Sequence, residues 1–170
     1  PYTTLFRSAG RKTVFTQKLN EKNQLTESSY TSSQKDSFSY NDKGLFAEKL
    51  YPSKAITKYE YNAAGKLIKE ESFREGNLTM LITYTYAQVN DQLAITCTTE
   101  YKASGSKDVH KEFYNANGLP VKELTEDEER TFTYQLDASR NWTLRTTVFK
   151  NLKTKSIFSR VVNRKIEYYQ

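Results

Sequence analysis

Few residues in this sequence could do chemistry, and their spacing keeps most of them apart. A site for acid–base or nucleophilic work needs partners that converge. His110 is the only histidine, set in Lys107-Asp108-Val109-His110-Lys111, a charged strand edge where a solvated imidazole is expected. Cys97 is the only cysteine, placed between Ile95 and Thr99 on an apolar face, the pattern of an inert packed thiol. A lone cysteine excludes an internal disulfide and a thiolate metal cluster. Carboxylates cluster at Glu70-Glu71 and at Glu126-Asp127-Glu128-Glu129. A glycosidase needs two such groups facing each other across a cleft, whereas the second cluster falls at a predicted hairpin tip. The sequence has no His-Glu-x-x-His, Cys-x-x-Cys, Asp-rich calcium loop, phosphate loop or Gly-x-Ser-x-Gly. The expectation is a non-enzymatic chain with no metal and no cofactor; an enzyme built on a distant acid pair is the minor alternative.

Residues suited to contact are better placed. Trp142 is the only tryptophan, and an exposed indole stacks on a sugar or a base, while a packed one belongs to the core. Tyr134 and Arg145 lie close by in sequence, and these three are the candidate binding residues. Strict alternation puts Trp142 with Leu144, Thr146 and Val148, and Arg145 with Thr147 and Phe149 on the opposite face. Net charge is +6, yet residues 9–139 hold 17 bases and 19 acids, while Arg140 to Lys165 holds eight bases and no acid. That stretch has two readings. It draws a polyanion, or its outward cations pair across strands with acids such as Glu123 and Glu126–Glu129.

The elements that must position these side chains are strands. Apolar and polar residues alternate, as in Leu78, Met80, Ile82, Tyr84 and Tyr86 against Thr79, Leu81, Thr83 and Thr85. Two aromatics followed by Asn-x-x-Gly and an apolar strand recur at Tyr59–Leu67, Phe38–Leu45 and Phe113–Leu119. The turn asparagines Asn20, Asn41 and Asn62 stand 21 residues apart, about one hairpin per repeat. Asn23 replaces the Gly in the first copy, which suits a left-handed position. Tyr84-Thr85-Tyr86, with a degenerate turn at 89–92, and Phe132-Thr133-Tyr134 bring the copies to about six. Strands are predicted at 11–18, 25–32, 35–40, 45–51, 55–61, 66–74, 78–86, 92–101, 107–114, 119–125, 130–136, 142–150 and 156–168. The fold class is all-β, an antiparallel meander of about 12–13 strands in a strongly curled single sheet, open barrel or spiral.

The Tyr-x-Tyr-[Asn/Asp]-x-x-Gly-x-Leu unit resembles the YD repeat of Rhs and teneurin-like proteins. Tyr134 to Trp142, with Arg140 where a Gly is usual, resembles the variant ending in Asn-Trp. Together with the closing stretch Arg164-Lys165-Ile166-Glu167-Tyr168, it is similar to small secreted or lipid-anchored Bacteroidetes proteins of unknown role. The resemblance covers roughly residues 36–170. It implies a secreted, periplasmic or outer-membrane lipid-anchored β-repeat module that meets a glycan or a protein. A fragment of a longer structural YD-repeat shell is the alternative.

Residues 1–8, Pro-Tyr-Thr-Thr-Leu-Phe-Arg-Ser, read as the translation of a common short-read sequencing adapter. The domain is accordingly expected at residues 9–170, as a single YD-repeat-like unit truncated at its N-terminus. No window reaches the roughly 18 apolar residues of a membrane helix.

Overall fold

Short alternating segments rich in Thr, Tyr, Phe, Val and Ile favour the pleated sheet, and strands are the regular elements of the described residues. The structure, a computed structural model, describes residues 2–8, 11–31 and 34–165. It contains β1 (Tyr2–Ser8), β2 (Arg11–Leu19), β3 (Leu25–Thr31), β4 (Gln34–Tyr40), β5 (Phe46–Leu50), β6 (Ile56–Tyr61) and β7 (Leu67–Arg74). These are followed by β8 (Asn77–Val89), β9 (Gln92–Tyr101), β10 (Lys107–Tyr114), β11 (Pro120–Leu124), β12 (Glu128–Leu136), β13 (Trp142–Asn151) and β14 (Ile157–Asn163). Hydrogen-bonded order follows chain order from β1 to β14, an antiparallel meander. Among the described residues no helix is long and apolar enough to cross a membrane. Packing divides the chain into two compact units, Pro1–Thr83 with Glu100–Ser106, and Tyr84–Thr99 with Lys107–Gln170.

Thirteen of the fourteen strands coincide with predicted ones; β1 lies in the segment set aside as adapter-like. Three details differ. The acidic tip is narrower than expected: the turn closes between Thr125 and Glu128, so Glu128 and Glu129 belong to β12. The copy led by Tyr84 and Tyr86 ends in a two-residue turn, with Asn90 and Asp91 at φ 47° and 61°, rather than the Asn-x-x-Gly loop. The last strand stops at Asn163, and the predicted extension from residue 166 onward lies outside the described residues.

One turn geometry recurs. At Asn20, Asn41, Asn62, Asn115 and Asp137 the backbone N–H donates to the carbonyl four residues on, at 2.9–3.0 Å. The N–H three residues on donates back to the first carbonyl, at 2.8–3.0 Å. The side-chain Oδ1 also accepts the N–H four residues on, at 2.9–3.1 Å. The fourth residue must then be left-handed, as Gly44, Gly65 and Gly118 are at φ 75°, 76° and 72°. Asn23 and Arg140 take the same conformation at φ 59° and 63°. Tyr51 opens a sixth such loop without a side-chain acceptor, with Lys54 at φ 61°.

Each of the five Asn or Asp loops adds a β-bulge where the hairpin closes. Ser39 faces Glu48 but Tyr40 faces Phe46, which leaves Ala47 extra; Glu60/Tyr61, Phe113/Tyr114, Lys18/Leu19 and Gln135/Leu136 repeat the shift. The core is thin. Among the described residues the buried side chains are Ala94, Ser28, Ser29, Thr57 and Thr147. The strand residues are half-buried by cross-strand neighbours rather than by a second layer.

Candidate functional site

The bulge between β12 and β13 builds the strongest side-chain constellation. Tyr134 pairs with Arg145, Gln135 with Leu144, and Leu136 with Trp142, so Thr143 is the extra residue. The step turns Trp142 away from the face of Leu144 and onto that of Arg145. Plain alternation, which assigned them to opposite faces, is corrected here because one inserted residue reverses side-chain direction. The three sequence-predicted contact residues therefore meet.

Their contacts are specific. The Tyr134 hydroxyl donates to the Pro120 carbonyl at 2.8 Å. Burial raises its pKa above the usual phenol value, with Arg145 opposing and Glu123 adding. The Arg145 guanidinium lies 5.5 Å from the Trp142 ring centre and 6.0 Å from that of Phe132. Arg164 sits closer, 4.1 Å over the indole, and its Nε donates to the Trp142 carbonyl at 3.1 Å. Trp142 is thus a platform for cations rather than a bare stacking face. The Arg145 Nε is buried and has no hydrogen-bond acceptor among the described residues.

Beside this cluster lies a row of acids that sequence reading missed. Glu112 on β10 stands directly opposite Glu123 on β11, an arrangement of like charges that is unfavourable unless compensated. Compensation is present. Glu112 accepts from the Tyr114 hydroxyl and lies 3.1 Å from His110 Nε2, and Glu123 pairs with Arg130 at 3.4 Å. The Tyr114 pKa is pushed up to about 12, first by burial and then by Glu112 and Glu123. Only strand register brings these acids together, and register follows from the loop at Asn115.

The basic stretch meets fewer acids than cross-strand pairing would give. Glu129 goes to Lys122 at 2.7 Å, and Arg130 takes both Glu123 and Glu128. Within Arg140–Lys165, Lys153 pairs with Asp127 at 2.6 Å. Arg145, Arg160 and Arg164 have no carboxylate partner among the described residues. Cys97 is half-buried, and no cluster of His, Cys, Asp or Glu among the described residues is arranged to hold a metal ion.

Fold and site together define an all-β hairpin-repeat protein with an aromatic, cation-bearing sheet face. Among solved structures, the chain is similar to a porin-like protein from Bacteroides uniformis. The TM-score is 0.57 at 14% identity, covering 97% of this chain and 95% of that one. It is also similar to part of the Photorhabdus luminescens Tc holotoxin pore, with TM-score 0.51 at 13% identity, covering 89% of this chain and 10% of that one. At these identities the likeness is one of fold, and it agrees with a YD-repeat-like β architecture. No protein-family profile matches the sequence, and no curated protein matches it.

Proposed function

We propose that the chain is a non-enzymatic β-repeat binding module, secreted or held at the cell envelope, which meets a glycan or a protein through Tyr134, Arg145 and Trp142. The observation that carries the reading is the Arg145 guanidinium. It is held against two rings, and among the described residues its Nε lacks an acceptor and no carboxylate neutralises it. An unfilled buried donor is costly, and a ligand oxygen admitted by a small shift of the covering side chains would fill it. The non-enzymatic part of the reading draws support from the acids, since Glu112 and Glu123 are each engaged by a neighbour.

The test is a binding screen of glycans and peptidoglycan fragments with the wild-type chain, Arg145→Gln and Trp142→Ala. The expected result is at least one ligand whose affinity falls about tenfold or more in both variants. A screen with no ligand, or a ligand indifferent to both substitutions, would sink the reading.

A second reading, a section of a longer structural β-repeat wall, has the thin core behind it. A wall section draws on its neighbours for stability, so the isolated chain would unfold in urea without a cooperative transition. A self-sufficient module unfolds sharply.

A further inference from the structure

We infer that the hollow framed by Val109, Leu124 and Leu152 is a binding site for a medium-chain aliphatic carboxylate, with Lys111 taking the acid group. The site is independent of the Trp142 cluster, because it lies on the opposite face of the sheet. Lys111 on β10 stands directly across from Leu124 on β11, and Leu124 across from Glu129 on β12, so these side chains share one face. Arg130 and Tyr134 alternate onto the other. On β10 the period of two adds Lys107 and Val109 to the row of Lys111. Leu152, just past β13, joins them because its N–H donates to the Asp127 carbonyl at 2.7 Å, which ties the turn after β13 to the turn before β12. The result is a hollow of about 450 Å³, lined among others by Lys107, Val109, Lys111, Leu124, Glu126 and Leu152. All six belong to the same compact unit.

Size and lining suit a small ligand, since such sites are hollows of roughly 300–1,000 Å³ with an apolar floor and few polar groups. Val109 is 44% exposed, so apolar surface is there to be covered. The charge at the rim selects the ligand. Lys111 is exposed and has no carboxylate partner among the described residues. Glu129, on its own face, goes to Lys122 at 2.7 Å. On β10 itself Asp108 and Glu112 alternate onto the other face, and Glu123 there pairs with Arg130. Glu126 stands at the rim, but its charge acts on Lys153, whose pKa is raised by Asp127 first and by Glu126 last. A phosphate or an acetate would meet Lys111 and leave the floor bare. A hydrocarbon would cover the floor and leave the ammonium unanswered, and an alkylammonium would be repelled by it. A carboxylate on an unbranched chain answers both. From β10 to the end of β13 the floor spans three strand spacings, about 14 Å, which suits a chain of medium length.

The experiment titrates the full chain with octanoate, butyrate and octylamine by calorimetry, below the concentration at which octanoate forms micelles, and follows the methyl resonances of Val109, Leu124 and Leu152. Octanoate is expected to bind about tenfold or more tighter than butyrate, which lacks the chain, and than octylamine, which reverses the charge. The three methyl signals should shift as it binds. Lys111→Gln, a substitution at an exposed position, should weaken octanoate about tenfold, and Lys111→Arg should keep most of the affinity. Equal binding of octanoate and octylamine would reduce the hollow to an apolar patch and overturn the proposal. Equal binding of octanoate and butyrate would reduce it to an ion contact and overturn it as well, as would indifference to Lys111→Gln. A peptide ending in Leu that binds more tightly than octanoate would assign the hollow to a protein C-terminus and overturn it too. The Trp142→Ala variant should bind octanoate normally, so failure here is distinct from failure of the glycan or protein site.

Discussion

Lys49 and Arg145 occupy equivalent places in the repeat, one in each unit. Each stands eight residues after its turn Asn or Asp, opposite the aromatic three residues before it: Phe38 faces Lys49, and Tyr134 faces Arg145. Each cation lies over two rings, Lys49 at 4.2 Å from Tyr51 and 5.6 Å from Phe38. They differ in one neighbour. Lys49 meets Asp36 at 3.1 Å, in a pair whose side chains are only 23% and 20% exposed, whereas Arg145 meets no acid among the described residues. The same repeat position holds Ser28, Glu70 and Glu123 in the other copies. The loop and bulge fix where this side chain goes, and its identity is then free to vary between a closed structural pair and an open contact.

The comparison breaks most sharply by removing each cation. Lys49→Met leaves the Asp36 carboxylate half-buried without its partner, and the expected loss is about 1–3 kcal/mol. Arg145→Met removes a group whose Nε is already unsatisfied, so the expected change is below about 1 kcal/mol, of either sign. Urea midpoints at unchanged m-value measure both. Equal losses would mean that Arg145 is as structural as Lys49, and the contrast between the two units would go.

Two tyrosines give a second contrast. Tyr59 is pushed up to about 12, by burial first and then by Glu70; Tyr114 is also pushed up to about 12, by burial and then by its bond to Glu112. Both folded-state values lie above the unfolded phenol's 10. Their contribution to stability is therefore complete below pH 10 and is lost as pH rises through 12. Denaturation at pH 8 and at pH 11 should show that decline. In a tyrosinate absorbance titration, Glu112→Gln should lower the latest-titrating group more than Glu70→Gln, because Glu112 acts through a direct hydrogen bond and Glu70 through charge alone.

Much of this is legible in the sequence because the loops are local. Asn41-Asp42-Lys43-Gly44 states its own geometry, as the Asn oxygen and the left-handed Gly need no distant residue. Strand limits follow from such loops, which is why β2 to β13 fall close to their predicted places. Register was read less well. A bulge is silent in the alternation, so Trp142 was assigned to the wrong face, and the Glu112–Glu123 pairing across the Asn115 loop went unseen. The ion pairs lie beyond local reading as well: Arg130 takes the acids that the basic stretch would otherwise have met, and only cross-strand geometry reveals that competition.

The smallest effects lie in the loops, where the two units again differ. Lys54 and Arg140 hold left-handed conformations at φ 61° and 63°, and a Cβ there is strained by about 1–2 kcal/mol. Glycine relieves the strain but widens the unfolded ensemble, so the net gain for Lys54→Gly or Arg140→Gly is about 0.5 kcal/mol. Gly65→Ala is the reverse case. The nearest atom to an added Cβ is the Leu45 Cδ1 at 3.8 Å, an ordinary contact, so any loss of about 1 kcal/mol comes from the backbone at φ 76°. The Arg140 loop has an Asp137 oxygen accepting two N–H groups, at 2.9 Å each, and the Lys54 loop, opened by Tyr51, has no such acceptor. If the side-chain acceptor already holds the loop in shape, Arg140→Gly gains at least as much as Lys54→Gly. If instead Lys54→Gly gains clearly more, the strain is concentrated where the acceptor is missing, and the Asp or Asn is what lets a non-glycine residue occupy the left-handed position.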